Sequence, residues 1–365
     1  MREYLLCLAV AAVVTYLTTP VVRWLALSWG VMAPVRDRDV HNTPTPRMGG
    51  LAMFAGLLSA LLVATQLPLL GSVFADSRQS LALVGAGAVL VALGMADDKW
   101  GLDAPTKFVG QALAGAVMAL QGISIAWLPI GGGTFVLDPL SSVLLTVLVV
   151  VVAVNAINFV DGLDGLAAGI VGIGALSLFA YSFLLSVDYG YTRATLPTLV
   201  CACLAGMCLG FLPSNLFPAR IFMGDTGSML LGALLAASSI TLSQTLDVGA
   251  LGTTSVLPAL LPLLLPVAVV LVPLVDLVLA VIRRTRARRS PFSPDKQHLH
   301  HRLLQLGHSQ RRAVLLMYGW TAVIAFTAVS LAFFPLSLCA VVFVTGVAAL
   351  AVAVQWPRMR HHPTA

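Results

Sequence analysis

Val149–Leu176 reads VVVVAVNAINFVDGLDGLAAGIVGIGAL, two apolar runs parted by Asn155, Asn158, Asp161 and Asp164 at steps of three. With their flanks, both runs approach the roughly 20 mostly apolar residues that cross a bilayer as a helix. Steps of three drift around an α-helix instead of stacking on one face. Gly162 and Gly165 therefore predict that one helix ends here and another begins, turning the four polar groups towards one aqueous mouth. A chance polar break in a greasy chain is the bland alternative.

The rest of the chain fits that reading. Its 365 residues are 59% hydrophobic and only 10% charged, with a mean hydropathy of +0.95, whereas soluble domains carry roughly a quarter charged residues. This excludes an ordinary soluble enzyme and predicts an all-α integral membrane protein. Eleven apolar segments centre near Val14, Leu58, Val89, Ala116, Leu148, Gly174, Leu204, Ala236, Ala268, Ala325 and Val344. The first is too long for a signal h-region, so it reads as a helix that stays. Residues 1–365 form a single transmembrane catalytic domain, with residues 283–312 as one long basic, His-rich loop.

Charge sets the expected orientation. Taking the loops alternately, one set carries 18 of the 21 Lys and Arg residues, and the other holds only Arg2, Arg78 and Arg193. The positive-inside rule then puts the N-terminus outside and the C-terminus in the cytoplasm of a multi-pass cell-membrane protein. The +6 net charge is a topology signal, and no nucleic-acid partner is expected. GGGT at residues 131–134 lacks the Lys-Ser/Thr of a P-loop. Cys7, Cys201, Cys203, Cys208 and Cys339 sit in apolar runs without metal or disulfide spacing and read as small buried hydrophobes.

Asp97, Asp98, Asp161, Asp164, Asp225 and Asp295 all fall at the cytoplasmic side in this topology. Carboxylates at such depths cost several kcal/mol unless paired, so a functional site is the default reading. Each has a structural alternative. Asp97 and Asp98 in GMADDKWGL fit a solvated helix end, and Asp225 in IFMGDTGSMLLG fits a helix cap. Opposite them, RRTRARRSPFSPDKQHLHHRLLQLGHSQRR gathers His298, His300, His301 and Arg302. Arg283 to Arg289 read as a headgroup-binding run; a zinc site at the histidines lacks a Cys partner. His308, His361 and His362 read as solvated bystanders. Aspartate and Asn donors favour a hard cation, Mg2+ or Mn2+. A hard cation, cationic side chains and Gly turns at helix N-termini together describe a phosphate site. The residues alone thus point to a polytopic enzyme acting on a phosphorylated, water-soluble substrate at the cytoplasmic face.

MADDKWGLDAPTKFVGQ, NAINFVDGLDGLAAG, FPARIFMGDTGSMLLG, PLVDLVLAVIRR and SPDKQHLHHRLLQLG, in that order from HNTPTPRMGG at His41 to about Gly307, resemble the polyprenyl-phosphate N-acetylhexosamine-1-phosphate transferases. HLHHRL looks like the branch that uses UDP-N-acetylglucosamine, with transfer of phospho-MurNAc-pentapeptide or another UDP-HexNAc as the alternative. The resemblance implies attack of a polyprenyl phosphate, undecaprenyl or decaprenyl, on the β-phosphorus of UDP-GlcNAc, releasing UMP, with Mg2+ required. It implies that Asp225 and Asn158 are metal ligands and that Asp97 and Asp98 activate or position the lipid phosphate. Lys107 falls near the phosphates. Asn155, Asp161, Asp164, His298, His300, His301 and Arg302 match the nucleotide-sugar region, and Arg47 borders the same cleft. Relatives pair as homodimers.

The role of Asp97 stays open between base, positioning group and covalent nucleophile. Asp276 fits a structural pairing with a nearby Arg as well as a substrate contact. A transporter would show internal repeats and midplane charges, and neither is visible. A CDP-alcohol phosphotransferase needs D-G-x-x-A-R, and DGLDGLA lacks the Arg. Abundant Ala, Val and Arg with few Lys suggest a GC-rich bacterium, with arabinogalactan linker synthesis as the expected pathway.

Overall fold

The computed structural model describes residues 1–33, 44–74, 78–130, 133–188, 195–245, 256–286, 303 and 306–360. Among these residues it forms α1 (Arg2–Ser28), α2 (Gly50–Ala64), α3 (Arg78–Trp100), α4 (Ala104–Leu120), α5 (Pro139–Val160), α6 (Leu166–Asp188), α7 (Thr195–Asn215), α8 (Gly224–Thr245), α9 (Val256–Arg286), α10 (Gln310–Ser330) and α11 (Leu336–Arg360). Each predicted centre falls inside one of these helices. Eight of them, α1, α3, α5 to α8, α10 and α11, have the length and composition to cross a membrane. The remaining apolar stretches, in α2 and at Leu260–Leu271 of α9, are shorter. Two minimal antiparallel pairs complete the fold: β1 (Met32–Ala33) with β2 (Thr45–Pro46), and β3 (Trp127–Ile130) with β4 (Gly133–Val136).

The bundle is organised around α8. It packs against α2, α3, α5, α6, α7 and α9, and Gly224 with Thr226 through Ser243 are all buried. Its sequence explains the position. GDTGSMLLGALLAASSITLSQT is rich in Gly, Ala, Ser and Thr, which let neighbouring backbones approach closely where lipid supplies no hydrophobic drive. Helices that face lipid need greasier surfaces, and α11, an almost purely apolar helix, is mostly exposed. All five cysteines are free and buried.

α3 and α8 approach closely. A methyl group on Gly94 would overlap the Thr226 backbone, which cannot swing aside. Gly94→Ala should therefore force the two helices apart at a cost of about 1–3 kcal/mol, read as a lowered melting midpoint of the purified protein. Gly85→Ala on the same helix is the control. Its added methyl would meet only Val117 Cγ1, at 3.7 Å, and the midpoint should stay put.

Hydrogen bonds bring eight helix ends to one face. The C-terminal ends of α1, α3, α5 and α7 meet the N-terminal ends of α2, α4, α6 and α8 there, through bonds such as Arg23 Nε, near the end of α1, to the Arg220 carbonyl in the α7–α8 loop (3.0 Å) and Asn215 Oδ1 from the Gly165 amide (3.1 Å). At the opposite face Glu3 accepts from the Leu69 and Leu70 amides, and Gln79 and Gln244 both donate to the Gly122 carbonyl.

Candidate active site

Three residues after α3 ends, α4 begins. Gly101 adopts φ +69°, a conformation that spares glycine the strain of a side chain, and Asp103 caps α4 by accepting from the Thr106 amide at 3.3 Å. This tight corner puts Lys107 beside the end of α3. Its Nζ lies 3.3 Å from Asp97 Oδ2 and 3.1 Å from Asp225 Oδ2, so one ammonium bridges carboxylates from two helices. Asp97 is fixed from its other side, Oδ1 accepting from the Leu102 amide at 2.8 Å. Asn158, in the last turn of α5, closes the far side of Asp225. Its Nδ2 donates to Asp225 Oδ1 at 2.9 Å and to Ser228 Oγ at 3.0 Å.

Asp98 is next in the chain but lies on another side of α3, because successive residues on a helix are about 100° apart. It is buried and faces α8. Oδ1 accepts from the Asp225 amide at 3.0 Å, and Oδ2 from the Thr226 amide at 3.2 Å and the Thr226 hydroxyl at 2.7 Å. The cap of α8 is thus supplied by a residue on a different helix, and Asp225 itself stays available to the site.

The stretch that opened the sequence reading folds as predicted there. α5 ends at Val160, Gly165 turns the chain with φ +76°, and α6 starts at Leu166. The four polar side chains do not share one task, however. Asn155 donates to Gln111 Oε1 at 2.6 Å and to the Val151 carbonyl at 2.8 Å. Asp164 is 1% exposed and its Oδ2 accepts from the Ala219 amide at 2.9 Å, which ties the 161–165 turn to the loop before α8. Asn215 makes the reciprocal tie: besides its bond from Gly165, its Nδ2 donates to the Ile221 carbonyl at 3.0 Å. The Tyr318 hydroxyl of α10 donates to the Gly165 carbonyl from the other side.

Asp161 faces the remaining acids. Desolvation pushes its carboxyl up to about 7; the charges of Asp225, Asp98 and Asp164 push the same way, and Arg47 opposes them. Arg47 reaches the site through an unusual turn. Met48 takes φ +76°, uncommon for a residue with a side chain, and the following Gly49 and Gly50 amides bond to the Phe222 and Met223 carbonyls at 3.0 Å each. A cavity of about 570 Å3 adjoins Lys107 between α4 and α5, lined by Ala104, Pro105, Phe108, Val109, Gln111 and Asn155 as well. Phe108 and Val109 are exposed, so apolar side chains share the cavity lining with Lys107.

Asp97, Asp98, Asn155, Asn158, Asp161, Asp164, Asp225, Lys107 and Arg47 are therefore brought to one face. His298, His300, His301 and Arg302 lie outside the described residues, as do Asp295, His361 and His362. His308, expected as solvated, is buried instead; its Nε2 sits 2.8 Å from the Val354 carbonyl and ties the turn before α10 to α11. Leu303 and Leu316 pack with Val354, and His308 is tied to both sides of that cluster, its amide donating to the Leu303 carbonyl and its ring meeting the Val354 carbonyl. Sequence reasoning passed over Gln111, Asn215 and Tyr318. Gln111 carried a signal, standing four residues after Lys107 and hence on the same helical face.

The donor set suits a hard divalent cation. Among the described residues no three carboxylate, His or Cys side chains are gathered at metal-holding distance, and Lys107 supplies the positive charge between Asp97 and Asp225. Besides desolvation, Asp225, Asp98 and Asp164 all push the Asp161 carboxyl up, against the opposing Arg47, a repulsion that a divalent ion would offset. An ion at Asp225 would need Lys107 drawn off Oδ2 and the Asn158 amide turned over to present Oδ1. The oxygen donors would then be hard ones, as Mg2+ demands.

Comparison with known proteins gives concordant results. Residues 80–243 match glycosyl transferase family 4. Over its whole length, and 90% of the relative's, the chain is 50% identical to the decaprenyl-phosphate N-acetylglucosaminephosphotransferase of Mycolicibacterium smegmatis. It is 33% identical to a probable undecaprenyl-phosphate N-acetylglucosaminyl 1-phosphate transferase of Bacillus subtilis, covering 87% of this chain and 82% of that one. The phospho-N-acetylmuramoyl-pentapeptide-transferase of Mycobacterium tuberculosis is 31% identical, with 88% of this chain and 95% of that one covered.

Proposed function

Since the chain belongs to glycosyl transferase family 4, we propose that it transfers GlcNAc-1-phosphate from UDP-GlcNAc to a membrane polyprenyl phosphate. A lipid phosphate oxygen forms the new bond to the β-phosphorus, the bond from that phosphorus to the bridging oxygen breaks, and UMP leaves. The observation that carries the reading is Lys107, its ammonium held by Asp97 and Asp225, in the lining of a cavity that also has apolar residues around it. That combination suits an amphiphile with a phosphate head and a hydrocarbon tail.

A lipid phosphate is already anionic near neutral pH, so the main barrier is bringing two anions together. Lys107 and Arg47 offset that repulsion from two sides and hold the reacting groups in line. Asp97 positions Lys107, with one oxygen tied to the backbone and the other on the ammonium. Asp225 and Asn158 would hold Mg2+, which when bound supplies charge neutralisation at the diphosphate. Asp161 and Arg47 face the donor side.

GlcNAc as the sugar and decaprenyl phosphate as the acceptor are supported by the 50% identical relative over the 31% identical pentapeptide transferase. The basic loops place the site, in this proposal, at the cytoplasmic side of the cell membrane, with eleven spans, the N-terminus outside and the C-terminus inside. The test is nucleotide release from purified protein. UMP should appear from UDP-GlcNAc only with decaprenyl phosphate and Mg2+ both present. Preference for UDP-MurNAc-pentapeptide would overturn the donor, and CMP release from a CDP-alcohol would overturn the reaction class.

A further inference from the structure

We infer that Asp98 is a positioning residue, acting through the first turn of α8 to hold Asp225 in register without itself touching a substrate. The inference rests on the transferase reading above for what Asp225 does, but its grounds are separate. Asp98 is 7% exposed, and its two oxygens accept three hydrogen bonds from Asp225 and Thr226. A carboxylate at a helix N-terminus satisfies orphan amides and is favoured by the positive end of the helix dipole. Here one of those amides belongs to Asp225, whose side chain sits between Lys107 and Asn158. The fit is tight as well. Gly224 turns the chain with φ +68°, and a methyl group added there would overlap the Asp98 carboxylate. Gly94, one turn earlier on α3, presses against the Thr226 backbone. Both Asp98 oxygens are therefore engaged by the first turn of α8, and the carboxylate has little room to turn towards a substrate, although its neighbour Asp97 faces Lys107.

The test compares Mn2+ binding, followed by the electron paramagnetic resonance of the free ion, in the detergent-purified full chain and two variants. Asp98→Asn keeps the shape but sets an NH2 against backbone donors, and should weaken Mn2+ binding at least tenfold. Because that change also removes a charge, Thr226→Val supplies the decisive arm. It deletes only the hydroxyl donor, and should weaken Mn2+ binding about threefold or more with an unchanged melting midpoint. At saturating Mg2+, Asp98→Asn should keep the wild-type shape of the pH profile of UMP release, since no proton passes through it. Wild-type Mn2+ affinity in Thr226→Val, a wild-type chain that takes up no Mn2+, or a pH profile that loses a limb in Asp98→Asn would each overturn the inference. Should Asp98→Asn fail to fold, Thr226→Val decides alone. A wild-type protein that binds Mn2+ but releases no UMP sinks the transferase reading and leaves the Asp98 comparison valid.

Discussion

Lys107→Met should lower UMP release about a thousandfold and, in the same protein, tighten Mn2+ binding instead of weakening it. The first effect follows from the deletion of a preorganised cation at the point where two phosphates must meet; removing one such group typically costs 10²- to 10³-fold. The second separates this site from an ordinary cation-assisted one. The ammonium sits 3.1 Å from Asp225 and 3.3 Å from Asp97, so a divalent ion at Asp225 would compete with it for the same carboxylate. Deleting the competitor leaves two carboxylates of which only 10% and 20% of the side-chain surface is exposed, too little water to screen them fully. A gain of roughly tenfold in Mn2+ affinity is expected from a close charge at an intermediate effective dielectric. Methionine keeps the unbranched stem and the helix propensity of lysine, so the fold should survive. Equal or weaker Mn2+ binding in the variant would mean that Lys107 does not occupy the ion's place. By linkage, lipid phosphate that draws Lys107 off Asp225 should strengthen Mn2+ binding in the wild type and not in the variant.

That pair of effects was half legible in the sequence. Runs of apolar residues placed the centres of the eleven described helices, and eight of those helices declare a membrane span by length and composition, since a spanning segment must satisfy its own backbone. The Gly pairs around Asp161 and Asp225 declared the breaks. Division of labour among the acids was not legible. Asp97 and Asp98 look alike in MADDKWGL, and only the 100° step between them sends one to Lys107 and the other to the amides of α8. Asp164 and Asp161, three residues apart, likewise separate into a buried tie to Ala219 and a carboxyl facing the site. Asn215 gave no signal at all, because its partners are main-chain groups of Gly165 and Ile221, and backbone partners leave no trace in residue type. His308 was misplaced for a related reason. A lone histidine beside a basic loop looks solvated until the packing of α10 on α11 is known.

Asp225→Asn should be the most damaging conservative change in the chain, lowering UMP release by about 10⁴-fold with the melting midpoint nearly unmoved. The residue is where separate contributions converge: Lys107 on Oδ2, Asn158 on Oδ1, and Asp98 on its amide. Asparagine preserves the backbone bond to Asp98, and its Oδ1 can still accept from Asn158. Its NH2, however, must then face the Lys107 ammonium, a donor against a donor, so Lys107 is left to Asp97 alone. The variant also loses the one carboxylate that both Lys107 and Asn158 point to, and a neutral amide oxygen holds a divalent cation less tightly than a charged carboxylate does. Mn2+ binding should fall at least a hundredfold as a result. Asp97→Asn provides the graded comparison. It loosens only one of the two holds on Lys107, so UMP release should drop about 10- to 100-fold while Mn2+ binding persists. If Asp97→Asn proved as inactive as Asp225→Asn at saturating Mg2+, Asp97 would be doing chemistry instead of positioning, and the order of importance argued from these contacts would be reversed.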